Sequence, residues 1–186
     1  MPSKLNRSLA VSVLFGLLGI LVNLPKLTIF TSATLLFGGA FYLMAALLYG
    51  PWYGAIAALI TALPSLLLWG HPETACILVA EALTVGWLAR RRVHPTLAEL
   101  IFWVGIGTPL AALFYLLVLS YPSPNNWVMV VKYPVNGLLN VMIAELLISI
   151  PMLQRLGANP VPRSASLCAR IYRTAFCWWP PCLCCC

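Results

Sequence analysis

The sequence predicts an all-α fold, a polytopic transmembrane helix bundle of about six spans. Of its 186 residues, 62% are hydrophobic and only 8% are charged, whereas about 25% are charged in an ordinary soluble domain. The first 150 residues also divide into apolar runs of the length that a bilayer core about 30 Å thick requires. Short segments rich in Gly, Pro, Asn and Arg separate these runs. The composition and the spacing together exclude a soluble globular fold.

The six predicted spans share a low charge and a length of about 20 residues. They cover residues 9–24, 27–48, 52–69, 72–89, 97–119 and 127–150. Aromatic side chains at their ends, such as Trp52 and Trp69, suit the headgroup region of a bilayer. Pro64, Pro109 and Pro134 fall inside three of the spans, and we expect each proline to kink its helix.

The Lys and Arg residues orient these spans. If the N-terminus lies in the cytoplasm, nine of the eleven basic residues fall on the cytoplasmic side, namely Lys4, Arg7, Arg90, Arg91, Arg92, Arg155, Arg163, Arg170 and Arg173. Only Lys26 falls outside, and Lys132 lies within the sixth span. Because basic residues are retained in the cytoplasm, we expect a multi-pass protein of the bacterial inner (plasma) membrane with both termini cytoplasmic. No cleavage signal of the A-x-A type follows the first run, so we expect it to remain as a span.

The acidic residues are too few for most enzyme chemistry. The chain has four acidic residues, Glu73, Glu81, Glu99 and Glu145, and no Asp. These are too few carboxylates for most sites of paired-carboxylate hydrolysis or for carboxylate metal sites. The net charge of +7 could suit nucleic acid, but the basic residues flank apolar runs instead of gathering on one solvated face. We therefore expect no enzyme activity in this chain, no nucleic-acid partner, no cofactor and no metal site.

Four polar residues at bilayer depth form the candidate ligand-binding site. Glu81 lies halfway along the fourth span. Lys132, Asn136 and Asn140 recur every four residues on the sixth span, which places them along one helix face. An ionisable side chain within a span costs roughly 2.5–3.5 kcal/mol to insert, so it requires a partner or a role. We predict a polar cluster between spans four and six. We favour hydrogen bonding between helices as its role, and ligand binding is the alternative.

Two further glutamates are expected to cap a helix or to form ion pairs with arginines. Thr96-x-x-Glu99 is a capping-box pattern at the start of span five, so we expect Glu99 to cap that helix or to pair with the arginines at 90–92. Glu145 lies on a different face of span six from the asparagines. We expect it to pair with Arg155 or with the same arginines.

Small residues on the first two spans predict close helix packing. Ser12, Gly16 and Gly19 recur at helical spacing on span one, and Gly38 and Gly39 are their counterparts on span two. Such residues let two helix backbones approach each other. We expect packing within one chain; the alternative is a seam between two copies in a homodimer.

Residues 151–186 form a basic, cysteine-rich cytoplasmic tail that does not match the rest of the chain. Six of the seven cysteines lie here, at positions 168, 177, 182, 184, 185 and 186. Zinc binding is disfavoured because no pair of C-x-x-C elements with an intervening loop and no histidine occurs in the tail. Lipidation beside the membrane, with Trp178 and Trp179 adding interfacial affinity, is a second interpretation. We favour a third, a shifted reading frame, and expect no folded structure in the tail.

Two stretches carry a family resemblance. The first, residues 35–92, begins LLFGGAFYLMAALLYGPWYG and ends LTVGWLARRR, and the second, residues 132–147, reads KYPVNGLLNVMIAELL. Together they resemble the N-terminal multi-pass sensor domain of bacterial sensor histidine kinases and related signalling proteins. The resemblance implies a membrane signal-input domain of a two-component system that responds to a small molecule or a physical stimulus. The chain has no phosphoacceptor His segment and no Gly-rich ATP lid, so the catalytic activity of the family does not carry over.

Two other functions remain open on the same residues. The turn Gly50-Pro51-Trp52-Tyr53-Gly54 also looks like the tight helix connection of substrate-binding subunits of vitamin transporters. A substrate-binding membrane subunit of a small-molecule transporter is therefore the main alternative. A purely structural anchor is the third, and all three functions have the lipid bilayer as a partner.

Overall fold

The computed structural model describes residues 4–24, 27–30, 33–69, 72–114 and 125–154. Over these residues the chain is a helix bundle with a two-stranded hairpin. The elements in order are α1 Lys4–Asn23, β1 Leu27–Phe30, β2 Ala33–Leu35, α2 Gly39–Tyr49, α3 Pro51–Trp69, α4 Pro72–Arg90, α5 Pro95–Phe102, a π-helical turn Trp103–Gly107, α6 Thr108–Ala112, α7 Asn125–Ser149 and α8 Pro151–Gln154. The first residues of the predicted tail, Pro151–Gln154, form α8, so the expectation of no folded structure is wrong there. The tail from residue 155 onward lies outside the described residues.

Four segments of the described chain are long and apolar enough to cross a membrane, namely Asn6–Asn23, Pro72–Arg90, Pro95–Ala112 and Val130–Ser149. Large hydrophobic side chains cover their outer surfaces; Leu21, Val104 and Leu146, for example, are each more than half exposed. So many exposed apolar side chains suit a surface in contact with lipid instead of water. The predicted all-α class is confirmed, and so is the presence of helices that can span a membrane.

The predicted second span differs from the structure at its start. Residues 27–35 contain an antiparallel hairpin in which Leu27 pairs with Leu35, and only Gly39–Tyr49 is helical. An apolar run alone does not distinguish a strand from a buried helix, and the threonine and isoleucine residues of this run favour extended backbone. The helix α2 is therefore 11 residues long, about 16 Å, roughly half the thickness of a hydrocarbon core.

The short helix α2 lies at the centre of the bundle. Every residue of α2 except Phe41 is buried, and α2 packs against α1, α3, α4 and α7. The close approach to α3 depends on glycine, because a Cβ at Gly54 would lie 2.7 Å from the Cα of Ala46 in α2. The protein thus surrounds α2, which is the condition under which interrupted helical backbone is tolerated at membrane depth.

Small residues of α1 pack against α3, as predicted. A Cβ at Gly16 would lie 2.7 Å from the Cβ of Ile60, and a Cβ at Gly19 would lie 3.0 Å from the methyl carbon of Thr61. The Thr61 hydroxyl lies 2.9 Å from the carbonyl oxygen of Ala57 and 3.3 Å from that of Gly16. The expectation of close packing within one chain is confirmed for these two glycines.

The segment Pro95–Ala112 contains a π-helical turn, Trp103–Gly107, directly before Pro109. The N–H of Thr108 donates to the carbonyl of Trp103, five residues earlier. Pro109 has no N–H to donate, so the helix widens by one residue instead of breaking. The backbone is thus irregular next to Pro109, whereas α3 and α7 continue as α-helices through their own prolines. The predicted kinks at the three prolines stay predictions.

One end of the bundle carries the arginines of the described residues, which are Arg7, Arg90, Arg91 and Arg92. Arg90 donates from Nη2 to the carbonyl oxygen of Tyr49 at 3.1 Å, where a cation suits the negative end of α2. Gly50 makes the turn into α3 with a φ of 111°, and a Cβ there would overlap the Arg90 guanidinium group. Arg7, at the start of α1, also lies near Tyr49. The opposite end of the bundle carries the hairpin.

Candidate functional site

The predicted asparagine stripe of α7 binds the backbone between β2 and α2. The side-chain oxygen of Asn136 accepts the N–H of Leu36 at 3.0 Å, and its amide nitrogen donates to the Leu36 carbonyl at 3.0 Å. Asn140, which is almost fully buried, donates to the same carbonyl at 3.1 Å. The two asparagines therefore complete the hydrogen bonding of a residue that lies outside any helix.

A third asparagine satisfies the next free backbone group. The side-chain oxygen of Asn23, the last residue of α1, accepts the N–H of Gly38 at 2.7 Å. Gly39 has no side chain to obstruct Asn140, whose amide occupies the place that a Cβ would need. Backbone groups at membrane depth require partners within the protein, so these asparagines make the interruption before α2 possible. The role of Asn23 was not predicted. Its position at the end of a helix is the one feature of the sequence that hints at this role.

Glu81 has different partners from the asparagines. Its side chain is 1% exposed, and its Oε2 accepts the hydroxyl of Tyr42 in α2 at 2.8 Å. Its carboxyl also lies within hydrogen-bonding reach of the Glu99 carboxyl of α5. The predicted cluster is therefore divided, because α2 lies between α4 and α7. A ligand-binding role for these residues remains a prediction.

The predicted role of Glu99 is wrong. Its side chain is fully buried instead of lying at the helix end, and its Oε1 accepts the indole N–H of Trp103 at 2.6 Å. Because α5 begins at Pro95, residue 99 is already one turn inside the helix. A Cβ at Gly137 would overlap both the Glu99 carboxyl and the Trp103 indole, so this glycine lets α7 approach the pair. The spacing of four residues between Glu99 and Trp103 was the signal that sequence analysis missed.

The two carboxyl groups leave one oxygen each without a hydrogen-bond partner among the described residues. These atoms are Oε1 of Glu81 and Oε2 of Glu99, and both are buried. The network continues toward α7, since the Trp103 ring stacks on Tyr133 with ring centres 6.1 Å apart. The Tyr133 hydroxyl lies 3.5 Å from that of Thr74 in α4. The arrangement can hold a proton between two acids in an otherwise apolar core.

Glu145 does not pair with the arginines at 90–92, so that expectation is wrong; Arg155 lies outside the described residues. Instead, Oε1 and Oε2 of Glu145 accept the N–H of Thr96 at 3.3 Å and its hydroxyl at 3.0 Å. His94 Nδ1 lies 3.3 Å from Oε1. A carboxylate suits the positive start of a helix, so Glu145 caps α5 from α7 and ties the two helices together.

Lys132 forms no hydrogen bond or ion pair with the described part of the chain, and it is partly buried. On the same helix face, Oδ1 of the buried Asn140 has no hydrogen-bond partner in that part either.

No group of three or more metal-ligating side chains occurs among the described residues. Of the cysteines, the structure describes Cys76, which is exposed; the cysteines of the tail lie outside the described residues.

No protein-family model matches the chain, and no curated protein and no solved structure is significantly similar to it. The resemblance to bacterial sensor domains therefore stays a prediction from its motifs.

Proposed function

We propose that this chain is a membrane-embedded signal-input domain of a bacterial signal-transduction protein. The observation that carries the proposal is the position of α2, which is buried except at Phe41 and hydrogen-bonded at its start, in its first half and at its end. Its start is held by Asn23, Asn136 and Asn140, its middle by the bond from Tyr42 to Glu81, and its end by Arg90. Any displacement of α2 must therefore change contacts with α1, α4 and α7 at once.

The route from α2 to the cytoplasmic end consists of polar contacts. Tyr42 bonds to Glu81, and the Glu81 carboxyl meets that of Glu99 on α5. The start of α5 is bonded to Glu145 near the end of α7. Directional hydrogen bonds favour discrete arrangements over continuous deformation, which suits a two-state input element.

We place six crossings in this domain, with both termini in the cytoplasm of the producing cell. Helix α2, enclosed by protein, takes the chain back across as the second crossing, and the arginine-rich end is the cytoplasmic end. Reporter fusions at Asn126 and Arg163 test this topology. We expect an external signal from the fusion at Asn126 and a cytoplasmic signal from the fusion at Arg163. A cytoplasmic signal at Asn126 would overturn the six-crossing arrangement.

The sensory function is tested in a chimera that joins residues 1–150 to the output module of a membrane histidine kinase. We expect Tyr42→Phe to change the basal output, because it removes the hydroxyl that couples α2 to Glu81. The matched control is Tyr53→Phe, the same chemical change at a hydroxyl for which the described part of the chain offers no hydrogen-bond partner. Membrane levels of both variants are measured by immunoblot. Equal basal output from both variants at equal membrane levels would count against a signal-input role.

One observation favours the alternative, a substrate-binding transporter subunit. Lys132 and Oδ1 of Asn140 lie on one face of α7 with no bonding partner in the described part of the chain. Lys132 suits an anionic group of a solute, and Oδ1 of Asn140 can accept a hydrogen bond from a donor group of the same solute. A small organic anion that stabilises the purified protein against heat, but no longer stabilises the Lys132→Met variant, would identify a ligand. Accumulation of that anion in cells would favour transport, and a change in chimera output without accumulation would favour sensing.

A further inference from the structure

We propose that Glu81 and Glu99 form a proton-binding site in the core of the bundle, in which one proton is shared between Oε1 of Glu81 and Oε2 of Glu99. The pair then carries a single negative charge. This inference goes beyond the sensory function and does not depend on it. The sequence alone did not indicate that these residues bind a proton.

The hydrogen bonds that the two carboxyl groups already form support a shared proton. Each has one oxygen that already accepts a bond, from the Tyr42 hydroxyl at 2.8 Å or from the Trp103 indole at 2.6 Å. The remaining oxygens are buried and have no donor among the described residues, although the two carboxyls are in contact. Two carboxylates in contact cannot both stay ionised in an apolar interior. A single proton between the free oxygens satisfies both at once.

The two donors favour a single proton in the site. The indole of Trp103 can only donate, so Oε1 of Glu99 must remain an acceptor. A second proton would have to sit on Oε2 of Glu81 and reverse the bond from Tyr42. As they stand, both donors are directed at carboxyl oxygens, where hydrogen bonds to a charged acceptor are strongest. The arrangement therefore stabilises the singly charged pair.

The surroundings favour a proton over a metal cation. The titratable groups that face the pair are Tyr42 on α2 and Tyr133 on α7, which stacks on Trp103. No Lys, Arg or His of the described residues contacts either carboxyl. A hard cation such as Ca²⁺ takes six to eight oxygen ligands, whereas the pair offers two free oxygens. A proton needs no more than these two, and it bonds α4 to α5 at the level where Tyr42 joins them to α2.

Infrared difference spectroscopy of the full chain in lipid vesicles at neutral pH tests the site. We expect a carbonyl stretch of a protonated carboxylic acid that shifts in D₂O. In Glu81→Gln and in Glu99→Gln this band should be lost, because the amide N–H of glutamine takes the place of the shared proton. Glu145→Gln is the control, since Glu145 binds the start of α5 outside the pair, and it should retain the band. Size-exclusion chromatography of each variant confirms that it is folded.

Three results would overturn the inference. A band of equal amplitude in the wild type and in both glutamine variants would place the proton elsewhere. Retention of half of the band in each single variant would mean that each acid holds its own proton. Loss of the wild-type band when sodium replaces choline in the buffer would identify a metal cation as the occupant. If Glu81→Gln does not fold, Glu99→Gln alone decides, because its amide keeps the acceptor for Trp103.

Discussion

Replacing Gly54 with leucine is expected to lower the free energy of unfolding by about 3 kcal/mol, the upper part of the usual range for overpacking a core. The Cβ alone would lie 2.7 Å from the Cα and 3.0 Å from the backbone nitrogen of Ala46. Backbone atoms cannot rotate away as a side-chain tip can, so α3 must separate from α2. SDS titration of the purified protein in mixed micelles, followed by circular dichroism, measures the effect.

Gly105→Leu is the matched control for this prediction. Gly105 lies in the π-helical turn with no atom within 4 Å of the place for a Cβ, and glycine is a poor helix former. We expect this variant to be as stable as the wild type or slightly more stable. If both variants unfold at the same SDS concentration as the wild type, the close contact between α2 and α3 is wrong.

Replacing Asn136 with leucine is expected to lower the free energy of unfolding by about 2–3 kcal/mol. The change leaves the Leu36 N–H without its acceptor, whereas the Leu36 carbonyl keeps its bond from Asn140. An unsatisfied buried donor costs about 1–3 kcal/mol, and there is no water at membrane depth to replace the lost acceptor. The same SDS titration measures the loss, and amide hydrogen exchange locates it, since residues 33–39 should exchange faster.

Val135→Leu places the same new side chain one position away, on a surface that is about half exposed. It makes none of the contacts with Leu36, so its unfolding and its exchange rates should match those of the wild type. Fast exchange of residues 33–39 in both variants, or in neither, would contradict the role assigned to Asn136.

Apolar length and turn residues alone predicted most of the helices. The sequence placed the start of α3 after Gly50 and the start of α4 at Pro72, because glycine and proline restrict the backbone locally, wherever the rest of the chain lies. It also predicted the close packing of Gly16 and Gly19, since a helix without side chains on one face leaves room for a neighbour. Such properties belong to single segments of the chain.

The hairpin could not be predicted from the local sequence alone. Its apolar residues are compatible with a helix and with strands, and α2 is too short to cross a bilayer unless other groups satisfy the backbone before it. Those groups are Asn23, Asn136 and Asn140, which lie on two other helices. Only their convergence on Leu36 and Gly38 makes the interrupted segment stable.

The amino-acid sequence alone indicated that the protein is helical, that it is apolar enough for a membrane and that Glu81 lies where charge is costly. The tertiary structure alone decided which partners those glutamates have. Glu99 was expected at a helix end and lies beside Glu81, whereas Glu145 caps the helix to which Glu99 belongs. Periodicity gives the direction of a side chain on its own helix, but the neighbour it meets depends on how the helices pack. Here α2 lies between Glu81 of α4 and the asparagines of α7.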